Sequence, residues 1–260
     1  MHGYGPSSYG DSFADVYDEW YEGVSDVAAT VTSIAGLANG GPVLELGVGT
    51  GRLAVPLAEA GAAGTAGTAD AMEVHGIDTS AAMLDRLRAK DPHRRVATYL
   101  GDMVDDLPAG PFTVVFVAYN SLFNLTEPTR QRACFAAVAE RLVPGGRFVV
   151  EAFVPDDPPR VGSEVTVRSL TADRVVLSVS MHRPDDRVAE GQFVELSAEG
   201  GVRMRPWMIR YASPAELDDM AAAAGFELEH RWRGFDDHSF DPDDERHVSI
   251  YRHGSPSTGG

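Results

Sequence analysis

The chain is 260 residues long, with 43% apolar and 23% charged residues, which suits one α/β domain with an embellishment or two small domains. A formal net charge of −17 excludes electrostatic capture of DNA or RNA as the basis of function, because phosphate backbones reward clustered Lys and Arg. The single cysteine, Cys134, excludes an intrachain disulfide and fits a reducing compartment.

The first ten residues, Met1 to Gly10, are rich in Gly, Ser and Tyr, and a flexible N-terminus is expected through residue 11. They show no basic start followed by an apolar run, and no stretch of the chain has membrane-spanning length, so a cytoplasmic protein without a membrane partner is expected. Ser12 is placed to cap a helix running from Phe13 towards Tyr21, and Asp26 to Leu37 reads as a second helix. Val43–Leu46 is a buried strand, and Leu53 to Ala60 a short amphipathic helix. The Gly-, Ala- and Thr-rich run from Gly61 to Asp70 suits a loop.

Glu73–Ile77, Val96–Leu100 and Thr113–Ala118 read as further strands, with helices over Ser80–Ala89 and Thr129–Leu142. Cys134 falls on the second of these helices beside Phe135 and Val138, as a buried inert thiol would. Pro144-Gly145-Gly146 then turns the chain into a fifth strand, Arg147–Ala152. This alternation is the signature of a doubly wound, mostly parallel sheet.

The pattern changes at residue 156. Glu164–Leu170, Arg174–Arg183, Val188–Leu196 and Val202–Tyr211 form an antiparallel β meander inserted into the α/β domain. Pro214–Ala224 resumes a helix, Phe226–Trp232 and His247–Arg252 are final strands, and 254–260 reads as a disordered tail. The expected domain thus comprises residues 12–155 and 212–253, with 156–211 as an insertion.

The most informative segment is Glu45-Leu46-Gly47-Val48-Gly49-Thr50-Gly51. Glycine at every second position lets the backbone turn sharply and lets a ligand approach closer than a Cβ permits. The helix start that follows offers free N–H groups, and the G-x-G-x-G spacing differs from the dinucleotide fingerprint. Asp78, ending the second strand beside Thr79, either accepts hydrogen bonds from a ribose diol or caps the next helix. Gly101-Asp102-Met103 after the third strand either faces an adenine, with Asp102 accepting from its amine, or is a simple turn. Met83 is a second adenine wall or a core residue.

In order and position these residues resemble the class I S-adenosylmethionine (SAM)-dependent methyltransferases: Glu45 and the glycines as the first motif, Asp78 as the ribose acid, Gly101-Asp102 before the adenine. The resemblance covers residues 12–155 and 212–252 and implies a Rossmann-like fold, SAM as cofactor, and transfer of its methyl group to an O or N atom of a small molecule in secondary metabolism. Tyr17-Asp18-Glu19-Trp20-Tyr21 is similar to the Y-D-x-x-Y segment of small-molecule methyltransferases, which implies that Tyr17, with Tyr21, contacts the cofactor. Arg52 is placed to pair with the methionyl carboxylate or to lie solvated on the surface.

On the acceptor side, the segment Tyr119 to Asn124 follows the fourth strand, where α/β folds hold ligands. Related amino-sugar methyltransferases carry a histidine near its end; Asn124 stands there instead and cannot take a proton. Asn120 and Asn124 are therefore read as orienting groups, with Phe123 beside the acceptor. Glu151 is an acceptor-side carboxylate or a satisfied buried acid. Trp207 and Tyr211 share one face of their strand and either line a roofed acceptor pocket or belong to an apolar sheet face or homodimer interface. No metal spacing is present. A SAM-dependent enzyme that does not methylate, or a non-catalytic SAM-binding protein, is the alternative.

Overall fold

The computed structural model describes residues 1–62 and 72–254, so most of the expected Gly-Ala-Thr loop and the expected tail after residue 254 lie outside the described residues. The elements in chain order are α1 (Ser8–Phe13), α2 (Tyr17–Trp20), α3 (Val27–Ala38), β1 (Val43–Leu46), α4 (Ala54–Ala62), β2 (Val74–Asp78), α5 (Ala81–Lys90), β3 (Val96–Leu100) and β4 (Phe112–Val117). A 3-10 turn (Ser121–Asn124) leads to α6 (Pro128–Ala139) and β5 (Leu142–Phe153). The rest are β6 (Gly162–Leu170), β7 (Arg174–Arg183), β8 (Val188–Ser197), β9 (Val202–Arg210), α7 (Pro214–Ala223), β10 (Phe226–Trp232) and β11 (Arg246–His253).

Seven strands form one sheet in the order β10-β11-β5-β4-β1-β2-β3. The first five strands of the chain pair in parallel, and β11 and β10 add antiparallel at one edge. All four residues of β1 are buried, as a central strand covered on both faces requires. Alternating side chains divide the core into two layers. Ile34, Leu57 and Leu84 of α3, α4 and α5 pack on Val43, Val74 and Phe116 on one face. Phe135 of α6 and Leu217 of α7 pack on Leu44, Val115 and Phe148 on the other. Each such buried side chain stabilises the fold by roughly 1.5–3 kcal/mol. Cys134 is fully buried in the second layer, and burial pushes its thiol up to about 12.

The antiparallel insertion is present as a separate sheet, order β6-β7-β8-β9. Two local expectations are corrected. A helix already starts at Ser8, and the one expected over Phe13 to Tyr21 is broken into α1 and α2, with Ser12 inside α1 rather than capping it. The break is held by Arg205 of β9, only 2% exposed, which donates to the Ser12 carbonyl and to the Asp15 carboxylate. Pro144-Gly145-Gly146 lies within β5, not before it, as a bulge. Leu142 pairs with Phe112 and Arg147 with Val114, so the residues between are looped out of register.

Candidate functional site

Strand β1 delivers its chain into Gly47-Val48-Gly49-Thr50-Gly51 at the centre of the sheet, and the three glycines have φ of +66°, +55° and +77°. Side-chain-bearing residues rarely adopt these values. Each glycine also answers a space requirement or none: a Cβ on Gly47 would lie 3.1 Å from Ser121 Cβ, whereas on Gly51 it would strike Leu87 of α5 at 2.7 Å. Gly47 keeps open a cleft, and Gly51 lets helix α5 pack against the turn.

The neighbouring strand ends supply the rest. Asp78 leaves β2 and accepts N–H groups from Gly49 at 2.8 Å and Ser80 at 2.9 Å. Ser80, not Asp78, caps α5 by accepting from Met83 N, so the capping alternative for Asp78 is excluded. Burial pushes the Asp78 carboxyl up, against the pull of these N–H donors. A carboxylate has about four acceptor positions, so two remain for a ligand. After β3, Asp102 accepts from Val104 N at 2.7 Å and from Arg130 Nη2 at 2.6 Å.

These elements enclose a narrow cleft of about 80 Å³. Of the sequence-predicted residues it is lined by Tyr17, Gly47, Gly49, Asp78, Thr79, Met83, Gly101, Asp102, Met103 and Asn124. Pro6, Tyr9, Gly10, Ile77, Ser121 and Leu125 complete the wall and were not singled out from sequence. Neither Tyr9 nor Gly10 had a usable signal, because the helix expected from sequence began only at Phe13. A Cβ on Gly10 would lie 2.4 Å from Ser80 Cβ, so glycine is what lets α1 close down on the cleft. Thr79 Oγ1 donates to the Pro6 carbonyl and Ser80 Oγ to Asp11, fastening the N-terminal segment over the strand ends.

Tyrosines dominate the covered end. Tyr9 donates to the Tyr21 hydroxyl at 2.8 Å, Tyr21 stacks on Tyr17 at 4.6 Å, and Tyr119 meets Tyr21 edge-on at 5.7 Å. Burial raises the hydroxyls of all four, leaving them neutral at physiological pH. Neutral phenol faces suit a cationic guest.

Several of the residues named from sequence lie outside the lining of this cleft. Glu45 is 4% exposed, lies behind the turn, and is pushed up to about 8 by burial, opposed by Arg52 and by the Ala54 N–H. Arg52 is outside the lining: its guanidinium donates to Ser25 and lies 6.0 Å from the Tyr119 ring centroid. Asn120 is structural, accepting from Phe153 N at 2.7 Å while it and Tyr119 both occupy left-handed backbone, at φ +66° and +46°. Glu151 secures the same strained turn by accepting from Tyr119 N at 2.9 Å. It is 5% exposed and lines neither the glycine-turn cleft nor the one described next, but a third cleft of about 570 Å³ that shares Asp243, Asp244 and Glu245 with the latter. Phe123, expected at the acceptor, is fully buried and packs edge-on against Phe153 at 5.3 Å.

Phe153 lines a second, wider cleft of about 670 Å³ between the end of β5 and the inserted sheet, together with His182, Trp207, Ile209 and Tyr211. Trp207 and Tyr211 therefore do share one inward face. The rim carries Asp156, Asp157, Asp243, Asp244 and Glu245 against Arg160. Trp207 Nε1 is buried without a hydrogen-bond partner. Among the described residues no group of three or more His, Cys, Asp or Glu side chains is arranged to hold a metal ion, and no helix is long and apolar enough to cross a membrane.

The comparisons with known proteins follow this geometry. A family described as a methyltransferase domain matches residues 43–146, from β1 to the bulge of β5. The chain is similar to the CcbJ methyltransferase of Streptomyces caelestis, with 39% identity, 97% of this chain and 100% of that one covered, and a TM-score of 0.87. It is 29% identical over 231 residues to a cypemycin N-terminal methyltransferase from Streptomyces sp, covering 86% of this chain and 88% of the relative. The sugar N-methyltransferase KedS8 of Streptoalloteichus sp shares the fold at 22% identity and TM-score 0.67, with 96% and 98% covered.

Proposed function

Because the chain belongs to the class I SAM-dependent methyltransferases, we propose that it methylates a nitrogen of a small, amine-bearing molecule held in the acidic cleft beside Trp207. When bound, SAM supplies a methyl group on a positively charged sulfur that departs as a neutral thioether. The chemistry of the residues lining the glycine-turn cleft suits that cofactor. The Tyr17 ring in its wall suits a cation. The lining residues take the roles their positions allow: Asp78 holds the ribose, Gly47 and Gly49 offer close-approaching backbone, and Asp102 with Met103 and Met83 flanks the adenine. Tyr17, packed on Tyr21, covers the reactive end.

The observation that carries the nitrogen assignment is the rim of the second cleft, with five carboxylates against one arginine. Such a rim gathers an ammonium and repels an acid. The amine must arrive or become neutral before its lone pair can attack. Asn124 has no proton-accepting group and Glu151 accepts from Tyr119 N, so the proton passes to His182 or a rim carboxylate of the same cleft, or to water at its open rim. Alignment of the acceptor is then the chain's main contribution, worth about 7–11 kcal/mol in well-oriented systems. The relatives' names, an N-terminal and a sugar N-methyltransferase among them, agree with nitrogen. Matched pairs of amine and hydroxyl acceptors test the reading: the amine should have the higher kcat/KM, and preference for the hydroxyl analogue would reverse it.

A further inference from the structure

Strand β6 carries one residue too many for its ladder. Val167 pairs with Leu177 and Ser169 with Val176, so Arg168 between them is looped out of register. A bulge of this kind re-aims a side chain. The Arg168 guanidinium sits over three aromatic rings, 5.0 Å from the Trp20 centroid, 5.0 Å from Phe193 and 5.5 Å from Tyr21. All three distances are within reach of a cation–π contact, so α2, the residue that ends it and β8 together form a cage around one positive charge.

What this guanidinium lacks is a counter-charge. Two other arginines lie near the Trp20 ring, Arg174 at 5.7 Å and Arg205 at 5.3 Å. Carboxylates neutralise both: Glu19 and Glu195 pair with Arg174, and Asp15 and Glu195 with Arg205. Arg168 has no ion pair among the described residues, and its Nη2 donates to the Trp20 carbonyl at 2.8 Å. Ring faces without a carboxylate suit an alkylated ammonium, which keeps its charge but has few N–H donors to offer. The cage also joins the two clefts by a row of rings. Phe193 lies 6.4 Å from Trp207 in the wall of the acidic cleft, and 5.6 Å from Trp20. Tyr21 stacks at 4.6 Å on Tyr17 in the wall of the glycine-turn cleft.

We propose that the Trp20–Tyr21–Phe193 cage is a binding site for the alkylammonium group of the methyl acceptor, and that Arg168 occupies it until that cation displaces it. The role given to the ligand rests on the nitrogen reading above; the cation binding itself does not. Arg168 is placed to leave, because β6 is an edge strand of the inserted sheet and the residue is exposed. While it stays, an intramolecular cation competes with any arriving from solution. A neutral or acidic acceptor cannot replace the charge that the rings lose, so the resident guanidinium selects for positive charge. The cage thus receives the nitrogen charged, between the acidic rim that gathers it and the reactive end where it must be neutral.

Calorimetric titration of the full chain with choline, and with its neutral isostere carrying a tert-butyl group in place of trimethylammonium, tests the site without turnover. Arg168→Gln removes the resident cation from an exposed position, so circular dichroism should be unchanged. This variant should bind choline at least about tenfold more tightly than wild type does, and the isostere no more tightly than wild type does. Adding Trp20→Leu to Arg168→Gln should abolish the gain. Adding Phe193→Leu instead removes a wall from the other side and should do the same, which guards against one ring variant failing to fold. Equal choline binding by wild type and Arg168→Gln, an equal gain for the isostere, or a gain that survives both ring variants would each overturn the cage. The last result would put the cation at the acidic rim and leave the nitrogen assignment standing.

Discussion

Asp78 holds the glycine turn from outside it: its Oδ2 accepts the Gly49 N–H at 2.8 Å while Oδ1 accepts from Ser80. One carboxylate thus ties the first motif, the end of β2 and the start of α5 into a single rigid corner, with acceptor positions left over that face the cleft. Replacement by Ala removes the turn's tether and the group proposed to hold the ribose. SAM affinity by calorimetry should fall at least about tenfold; an unchanged affinity would remove Asp78 from the site.

Trp207 stands in the wall of the acidic cleft with its indole N–H buried and unpartnered. Such a donor is costly to leave unmade and gains from any acceptor a ligand offers. Trp207→Ala should raise the KM for the methyl acceptor about tenfold or more, leaving SAM affinity as it was. A loss of SAM binding of the same size would move Trp207 to the cofactor side.

Phe123 is a core residue packed on Phe153. Phe123→Ala should lower unfolding free energy by about 3–5 kcal/mol, read from denaturant melts. Undiminished stability together with a raised acceptor KM would instead return it to the acceptor pocket.

Glu45 gives the pH dependence. Burial lifts its carboxyl from 4.5 to about 8, so the folded chain keeps a proton there that the unfolded chain releases. That contribution is fully present below pH 4.5 and is lost as pH rises through about 8. Glu45→Gln cannot ionise and lacks this loss. The Tm advantage of wild type over Glu45→Gln should therefore shrink steadily from acid to mildly alkaline pH; a constant difference would mean that Glu45 is already charged when folded.

The sheet, its helices and the insertion were legible because each rests on local periodicity: alternating or continuous apolar strands, amphipathic helices, and turn residues between them. Nine of the fourteen cofactor-side residues named from sequence line the cleft, and they could be placed for the same reason, since Gly47, Asp78 and Asp102 sit at the ends of consecutive strands. What failed depended on contacts far apart in sequence. Ser12 looks like a cap until Arg205, nearly two hundred positions away, takes its carbonyl. Asn120 and Glu151 look reactive until the strained Tyr119-Asn120 backbone is seen to need both. Phe123 differs from an acceptor-facing aromatic only in which way a single 3-10 turn rotates it.

The most direct test of the account is to incubate the purified chain with SAM and a pool of small primary and secondary amines, and to follow products by mass spectrometry. The account predicts S-adenosylhomocysteine together with an amine heavier by about 14 Da, the mass gained when a methyl group replaces hydrogen. Intact SAM across the amine pool, or a hydroxyl acceptor methylated while every amine is left unchanged, would contradict it.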